Sequence, residues 1–240
     1  MQFKEAILNS SFCESLGELI APTRCAGCER QGELFCLKCL AQLNQNYLNR
    51  QACPKCAGPY GALTCTECWE INYSFEQALA LDILDGPLAR AIVLYKDANE
   101  RRLAQVLGHL LAECVQSNWE DWLRQADAIC WIPASTEALR RRGFDHGKLL
   151  AQNVASSLGL PALALLERKR ARDQRGLSRK ERLSGAQDFT CGLNSGQVSV
   201  QNVLLVDDVF TTGATAESAT CSLLATGTQE VRIAVLGRAW

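Results

Sequence analysis

The sequence predicts an α/β fold of the type built on a parallel sheet, preceded by a small metal-held module. Two observations carry this. Short, wholly apolar segments such as Val203–Val206 and Val231–Leu236 alternate with longer segments of helical period, the signature of strands buried on both faces beneath helices. In contrast, residues 21–72 are rich in cysteine and turn formers and poor in branched aliphatics, so that stretch cannot hold itself together by burial alone.

Taken in order, residues 1–20 place Phe3, Ile7, Leu8, Phe12, Leu16, Leu19 and Ile20 at loosely helical spacing until Pro22 ends the pattern. Residues 21–72 form the cysteine zone, and residues 73–240 the α/β domain. Within that domain Phe75–Ile83 reads as a strand. Pro87–Tyr95 and Arg101–Val115 read as helices, the second with Leu103, Val106, Leu107, Leu110 and Leu111 on one face. Ala128–Ile132 is a short buried strand closed by Pro133, and Gly147–Leu158 a helix that Gly159 ends. Strand Val203–Val206, helix Gly213–Ala225 and strand Val231–Leu236 complete the pattern.

Composition excludes several classes. At 240 residues, with 48% hydrophobic and 21% charged side chains, the chain is neither disordered nor collagen-like. No run of about 18 apolar residues predicts a membrane span. The first 20 residues carry Glu5, Glu14 and Glu18 and no basic-then-apolar leader, which predicts a cytoplasmic protein. Net charge is −1, wrong for a general polyanion binder. Basic side chains nevertheless outnumber acidic ones in the second half, which permits a local basic site.

Eight of the 13 cysteines form four C-x-x-C pairs: Cys25/Cys28, Cys36/Cys39, Cys53/Cys56 and Cys65/Cys68. An odd total without a secretion signal argues against a disulfide framework. Each knuckle offers two thiolates from one tight turn, so two knuckles make a tetrahedral zinc site and four make two. The short gaps suit pairing of consecutive knuckles. A crossed pairing, first with third, stays open. Four thiolates leave zinc no open position, so one or two structural zinc ions per chain are expected, not catalytic ones. The remaining Cys13, Cys114, Cys130, Cys191 and Cys221 sit singly among apolar neighbours and read as small buried hydrophobes.

The second chemical signal runs from Val203 through Asp207-Asp208 to Thr211-Thr212-Gly213-Ala214-Thr215. A buried strand ends in paired acids, and a Thr/Gly turn then opens a helix whose first amides suit a phosphate. Gly213 allows close approach, while the hydroxyls of Thr211, Thr212 and Thr215 add donors. Asp207 and Asp208 are placed to accept from sugar hydroxyls and to orient a magnesium ion. Either half alone would be an ordinary loop or helix cap; together they predict a phosphosugar site. Gly143–Lys148 is no Walker loop, having one intervening residue too few and Leu149 where Ser or Thr is required.

This stretch resembles the phosphoribosyl-pyrophosphate (PRPP) motif of type I phosphoribosyltransferases, and the whole chain, cysteine zone included, resembles the ComF family. Further matching stretches are Leu19-Ile-Ala-Pro22, Leu94-Tyr-Lys96, Ile132-Pro133-Ala-Ser135, Arg140-Arg-Arg-Gly143-Phe144 and Gln174-x-x-Leu177 followed by Arg182 and Phe189. Asp145 and His146 depart from an Asn-Gln often found there, and Ala171 and Gly185 depart likewise. The resemblance implies that Asp207 and Asp208 meet the ribose hydroxyls and that Thr211–Thr215 wraps the 5′-phosphate. The loop at Ala134 and Ser135 would face the pyrophosphate. Such transfer relies on positioning and on magnesium, with no dedicated nucleophile, so His109 and His146 read as surface or packing histidines. The resemblance also implies a role in natural competence, with single-stranded DNA and other competence proteins as partners. A non-catalytic, PRPP-responsive DNA- or protein-binding adaptor is the alternative.

Finally, Arg168, Lys169, Arg170, Arg172, Arg175, Arg179, Lys180 and Arg182 form a basic run. A solvated loop is its plain reading. A lid over pyrophosphate, or with Arg140, Arg141 and Arg142 a track for single-stranded nucleic acid, are the functional ones.

Overall fold

A computed structural model describes residues 22–43, 52–59, 61, 63–168, 189–191 and 200–239. The helical segment expected over residues 1–20 and the basic run from Lys169 to Arg182 lie outside these residues.

Four strands form one parallel sheet in the order β1-β6-β5-β2: β1 Gln77–Ile83, β2 Ala128–Trp131, β5 Asn202–Phe210 and β6 Glu230–Arg238. A separate antiparallel pair joins β3, Leu166–Arg168, to β4, Phe189–Cys191. The central strands read as unbroken apolar runs because both faces are covered. On one face, Leu79, Leu81, Leu204, Val206, Ala234 and Leu236 pack beneath α3 (Gly86–Asp97), α4 (Leu103–Leu123) and α6 (His146–Leu158). On the other, Ala78, Ala80, Val203, Leu205, Ile233 and Val235 pack beneath α7 (Ala214–Leu224) and the β3–β4 pair. The alternation follows from the two-residue period of a strand.

The elements expected over residues 73–240 are present with shifted ends, and the larger shifts have a cause. β5 runs through the acid pair to Phe210 instead of stopping at Val206, because β6 pairs with it to the end, Asp207 opposite Val235 and Phe210 opposite Arg238. The Arg238 guanidinium closes that end by donating to the carbonyls of Phe210, 3.2 Å, and Thr211, 2.8 Å. Tertiary pairing overrides the polarity of two aspartates. α4 continues to Leu123 across a kink at Trp119, whose φ of −130° breaks the helical period there. α5 (Thr136–Arg142) has no counterpart among the sequence expectations. It buries none of its residues and so shows no apolar stripe; it is set by the Ser135 hydroxyl, which accepts from the Ala138 amide, and by left-handed Gly143 at φ 74°.

The described residues of the cysteine zone include two four-residue helices, α1 Leu37–Leu40 and α2 Thr66–Trp69. Its two halves dock on opposite faces of the sheet. Cys25, Cys36 and Cys39 join the core beneath α3 and α4, whereas Cys53, Cys56, Cys65 and Cys68 join the core beneath α7.

Candidate phosphoribosyl and metal sites

The two halves of the cysteine zone repeat one backbone plan. In each, the first knuckle turns through a residue of positive φ just past its second cysteine, Glu29 at 63° and Ala57 at 55°. Their amides donate back to the carbonyls of Cys25, 2.7 Å, and Cys53, 2.8 Å. In each, the third cysteine caps a short helix and its amide donates to the first thiol, Cys36 to Cys25 Sγ at 3.2 Å and Cys65 to Cys53 Sγ at 3.3 Å.

The ligand groups are therefore Cys25, Cys28, Cys36 and Cys39 in one cluster and Cys53, Cys56, Cys65 and Cys68 in the other, all sulfurs of a set within 4.8 Å of one another. Consecutive knuckles pair; the crossed arrangement does not occur. Sulfurs stand 3.6 Å apart in Cys25–Cys39 and Cys28–Cys36, and 3.8 Å apart in Cys56–Cys65. A tetrahedron with Zn–S bonds of about 2.3 Å has edges of about 3.8 Å. Both sets thus fit zinc and are far too wide for disulfides. Burial alone would raise the Cys25 thiol, but donation from the amides of Cys36, Cys28 and Gly27 outweighs it and brings the thiol down to about 6, which favours the thiolate a metal needs.

The turn after β5 is shaped by close contact. Gly213 has φ 77° and serves as the N-cap of α7 without a side-chain bond. A Cβ there would lie 2.6 Å from Phe210 Cζ and 3.0 Å from Tyr73 Cε1, so only glycine fits. Ahead of it, the Thr212 hydroxyl accepts from the Ala214 amide at 3.4 Å. Asp207, Thr211, Gly213 and Thr215 line one small cleft together with Phe210, Ala216 and Val235. The cleft thus brings together an aspartate, two threonines and the start of α7, and free amides at a helix start suit an anion.

The partner acid is held differently. Asp208 is buried, and its Oδ2 lies 2.7 Å from both Lys96 Nζ, at the end of α3, and His146 Nε2, at the start of α6. Behind the imidazole, Arg142 approaches His146 Nδ1 at 3.2 Å and donates to Asp97 Oδ1 at 3.2 Å. A guanidinium only donates, so Nδ1 is the acceptor and Nε2 carries the proton that faces Asp208. The His146 carbonyl in turn accepts from the buried Tyr95 hydroxyl. His146, Asp207 and Asp208 bring one donor atom each to within 4.8 Å of one another.

Comparison with known proteins places this arrangement. Residues 145–239 match the Phosphoribosyl transferase domain family. Competence protein F of Haemophilus influenzae is 27% identical over 221 residues, spanning 90% of each chain. The chain thus resembles competence proteins over most of its length. Competence protein ComFC of Bacillus subtilis is 25% identical over 204 residues, 81% of this chain and 80% of that one. DNA utilization protein YhgH of Escherichia coli is 27% identical over 198 residues, 79% of this chain and 85% of that one.

In this chain the phosphoribosyltransferase-type fold assembles the expected turn and acid pair at the carboxyl end of the interior strand β5. The electrostatics separate the two acids. Burial, then the charge of Asp208, pushes the Asp207 carboxyl up to about 8. Burial also works against Asp208, but the His146 hydrogen bond and the Lys96 charge win and hold it below the usual carboxylate range.

Ala134 and Ser135 lie in the loop after β2, where Asp145 Oδ2 accepts from the Ala134 amide at 3.2 Å and Oδ1 from the Lys148 amide at 3.1 Å. Asp145 thus ties the loop to the α6 start. Sequence reasoning passed over Lys96 as a site residue and gave His146 a bland role; the structure puts both against Asp208. The departure at Asp145-His146 was the available signal. Arg142 is turned inward, with its side chain 11% exposed, against His146 and Asp97. Of the basic run only Arg168 is described, exposed and stacked over the Phe189 ring at 5.3 Å. No described helix is long and apolar enough to cross a membrane.

Proposed function

We propose that this chain binds PRPP or a related phosphoribosyl ligand together with magnesium, and that it serves in DNA uptake. The observation that supports this most is the convergence of Asp207, Thr211, Gly213 and Thr215 on one cleft at the start of an 11-residue helix. In this reading the 5′-phosphate rests on the first amides of α7 within Thr211, Thr212, Gly213, Ala214 and Thr215. Asp207 and Asp208 take the ribose hydroxyls, and the loop of Ala134 and Ser135 faces the pyrophosphate. On giving up its proton, Asp207 would offer the hard oxygen donor that suits magnesium, which when bound would neutralise charge on the leaving pyrophosphate. Asp208 keeps Lys96 and His146 at the cleft edge, placing positive charge and a hydrogen-bond donor beside the ligand.

Calorimetric titration with PRPP, with and without magnesium, tests the assignment. Saturable binding that Asp207→Asn weakens at least tenfold is expected; no heat, or equal affinity in the variant, removes it. Transfer itself is a separate matter. Asp208 is already engaged by two side chains that a ribose must displace or share, which favours an adaptor that binds the ligand without turning it over. Pyrophosphate release with bases, nucleosides or DNA ends as acceptors distinguishes an enzyme from that adaptor.

The DNA role draws on the names of the relatives, competence and DNA utilization proteins, and on the basic run opened by Arg168. Single-stranded DNA binding should weaken steeply with salt and be lost on neutralising Arg168, Lys169, Arg170, Arg172, Arg175, Arg179, Lys180 and Arg182. Affinity indifferent to that change removes the run from the account.

A further inference from the structure

The segment between the second cysteine cluster and β1 touches the ligand turn directly. The Tyr73 hydroxyl donates to the Thr212 carbonyl at 3.0 Å. The Ser74 amide and hydroxyl both donate to Glu217 on the first turn of α7, at 2.8 and 2.6 Å. Tyr73 stacks on Phe75 at 4.6 Å, and both rings meet Phe210 edge-on, at 6.5 and 6.1 Å. Tyr73 is also one of the two walls that confine Gly213.

The same segment is pinned at its other end by the cysteine knuckle. Lys55, inside the Cys53–Cys56 knuckle, donates to the carbonyls of Phe75, 3.3 Å, and Glu76, 2.8 Å. The Ala78 amide donates to the Pro54 carbonyl at 2.8 Å. Cys53, Cys56, Cys65 and Cys68 lie in one buried cluster with Phe75, Phe210 and Ala216. Among the described contacts, the first cluster instead reaches α3 and α4: Glu29 pairs with Arg90, Gly27 abuts Pro87, and Thr23 accepts from Arg102 at 3.2 Å.

We propose that Tyr73 and Ser74 form a strap that holds the Thr211–Thr215 turn in its ligand-receiving shape, and that the second cysteine cluster, with its metal, anchors the strap. Tyr73 is then a positioning residue, acting through the Thr212 carbonyl. Affinity at the turn follows the metal content of this cluster and not that of the first. This last consequence rests on the ligand assignment made above; the strap itself does not.

Amide hydrogen exchange on the full zinc-loaded chain tests it, comparing peptides over residues 211–217 with a reference peptide over 231–236 in β6. Exchange at 211–217 should rise about 2- to 10-fold in Tyr73→Phe, the range a single lost hydrogen bond allows, with zinc content and the β6 peptide unchanged. The double variant Cys65→Ser, Cys68→Ser should raise it further, and Cys36→Ser, Cys39→Ser should leave it alone. PRPP affinity, read by calorimetry, should fall in the same order. Unchanged exchange at 211–217 in Tyr73→Phe, or equal rises at both peptides, overturns the strap. Should the cysteine variants fail to fold, Tyr73→Phe alone decides. Selective exchange in a protein that ignores PRPP upholds the strap while ending the ligand assignment.

Discussion

Asp207 and Asp208 are neighbours in sequence with opposite thermodynamic signs. Asp207 rises to about 8 in the folded chain, so the native state holds a proton that the unfolded chain gives up near its ordinary value. Its contribution is fully present below about pH 4 and is lost as pH climbs through about 8, at up to about 1.4 kcal/mol per pH unit in that window. Asp208 is depressed, so its contribution appears above its unfolded value and is lost as pH falls through its lower folded one. Urea midpoints measured at pH 5 and pH 8 should therefore fall with pH in the native chain and level out in Asp207→Asn; an unchanged slope refutes this. Asp208→Asn should act otherwise. It leaves Lys96 and His146 facing an amide in a buried place, with an expected loss of about 3 kcal/mol, the low end for a broken buried pair because Lys96 keeps some solvent contact. Adding Lys96→Met to that variant should recover part of the loss, and strictly additive losses would show that the two groups do not interact. The acid pair itself was legible in the sequence. Its inner partners were not, since Lys96, Arg142 and His146 come from the ends of three helices and meet only through the fold.

At the scale of the element, the turn between β5 and α7 is more constrained than its sequence suggests. Thr-Thr-Gly before a helix predicted a phosphate-binding start, and the structure gives that turn a left-handed Gly213 as the N-cap of α7. What the sequence could not convey is that Phe210 and Tyr73 close on that glycine from two sides, because Tyr73 is far away in the chain. Gly213→Ala meets both the conformational penalty of positive φ, about 1–2 kcal/mol, and a collision with Phe210. The variant should lose about 2–3 kcal/mol by denaturant unfolding and bind PRPP at least tenfold more weakly. A variant as stable as the parent would mean that the rings yield easily and that the turn is soft. The same reasoning explains the missed α5: an element that buries nothing writes no periodicity, and only its Ser135 cap and Gly143 stop mark it. β5 was cut short for the converse reason, since pairing with β6 carries it through two charged residues.

Across the whole molecule, the cysteine zone is not an appendage. Its clusters flank the sheet, one beside α3 with Glu29 against Arg90, the other joined to β1 through Pro54 and Lys55. The spacing disclosed four knuckles suited to zinc but left their pairing open, and the structure joins consecutive ones. The sequence could not disclose the docking, because the contacts that fasten each set come from glycine, proline and charged residues that carry no periodic signal. One consequence follows for the energetics. Without a cation the sulfurs at 3.6–3.8 Å cannot all be thiolates, since burial and then the neighbouring sulfurs push Cys39 and Cys68 up toward the protonated thiol. A metal replaces those protons in sets that share cores with Leu81, Phe75 and Phe210. Losing the metal should thus loosen both sheet faces, not merely unravel residues 22–72. The purified chain is expected to hold about two zinc ions, and calorimetry should give one cooperative transition. Stripping zinc with a chelator should lower that single transition by more than about 10 °C, since binding free energy to structural thiolate sites is folding free energy. A chelated chain whose sheet still melts where the loaded one does, with only a small early transition for the cysteine zone, would show that the two halves fold independently and that the packing between them contributes little.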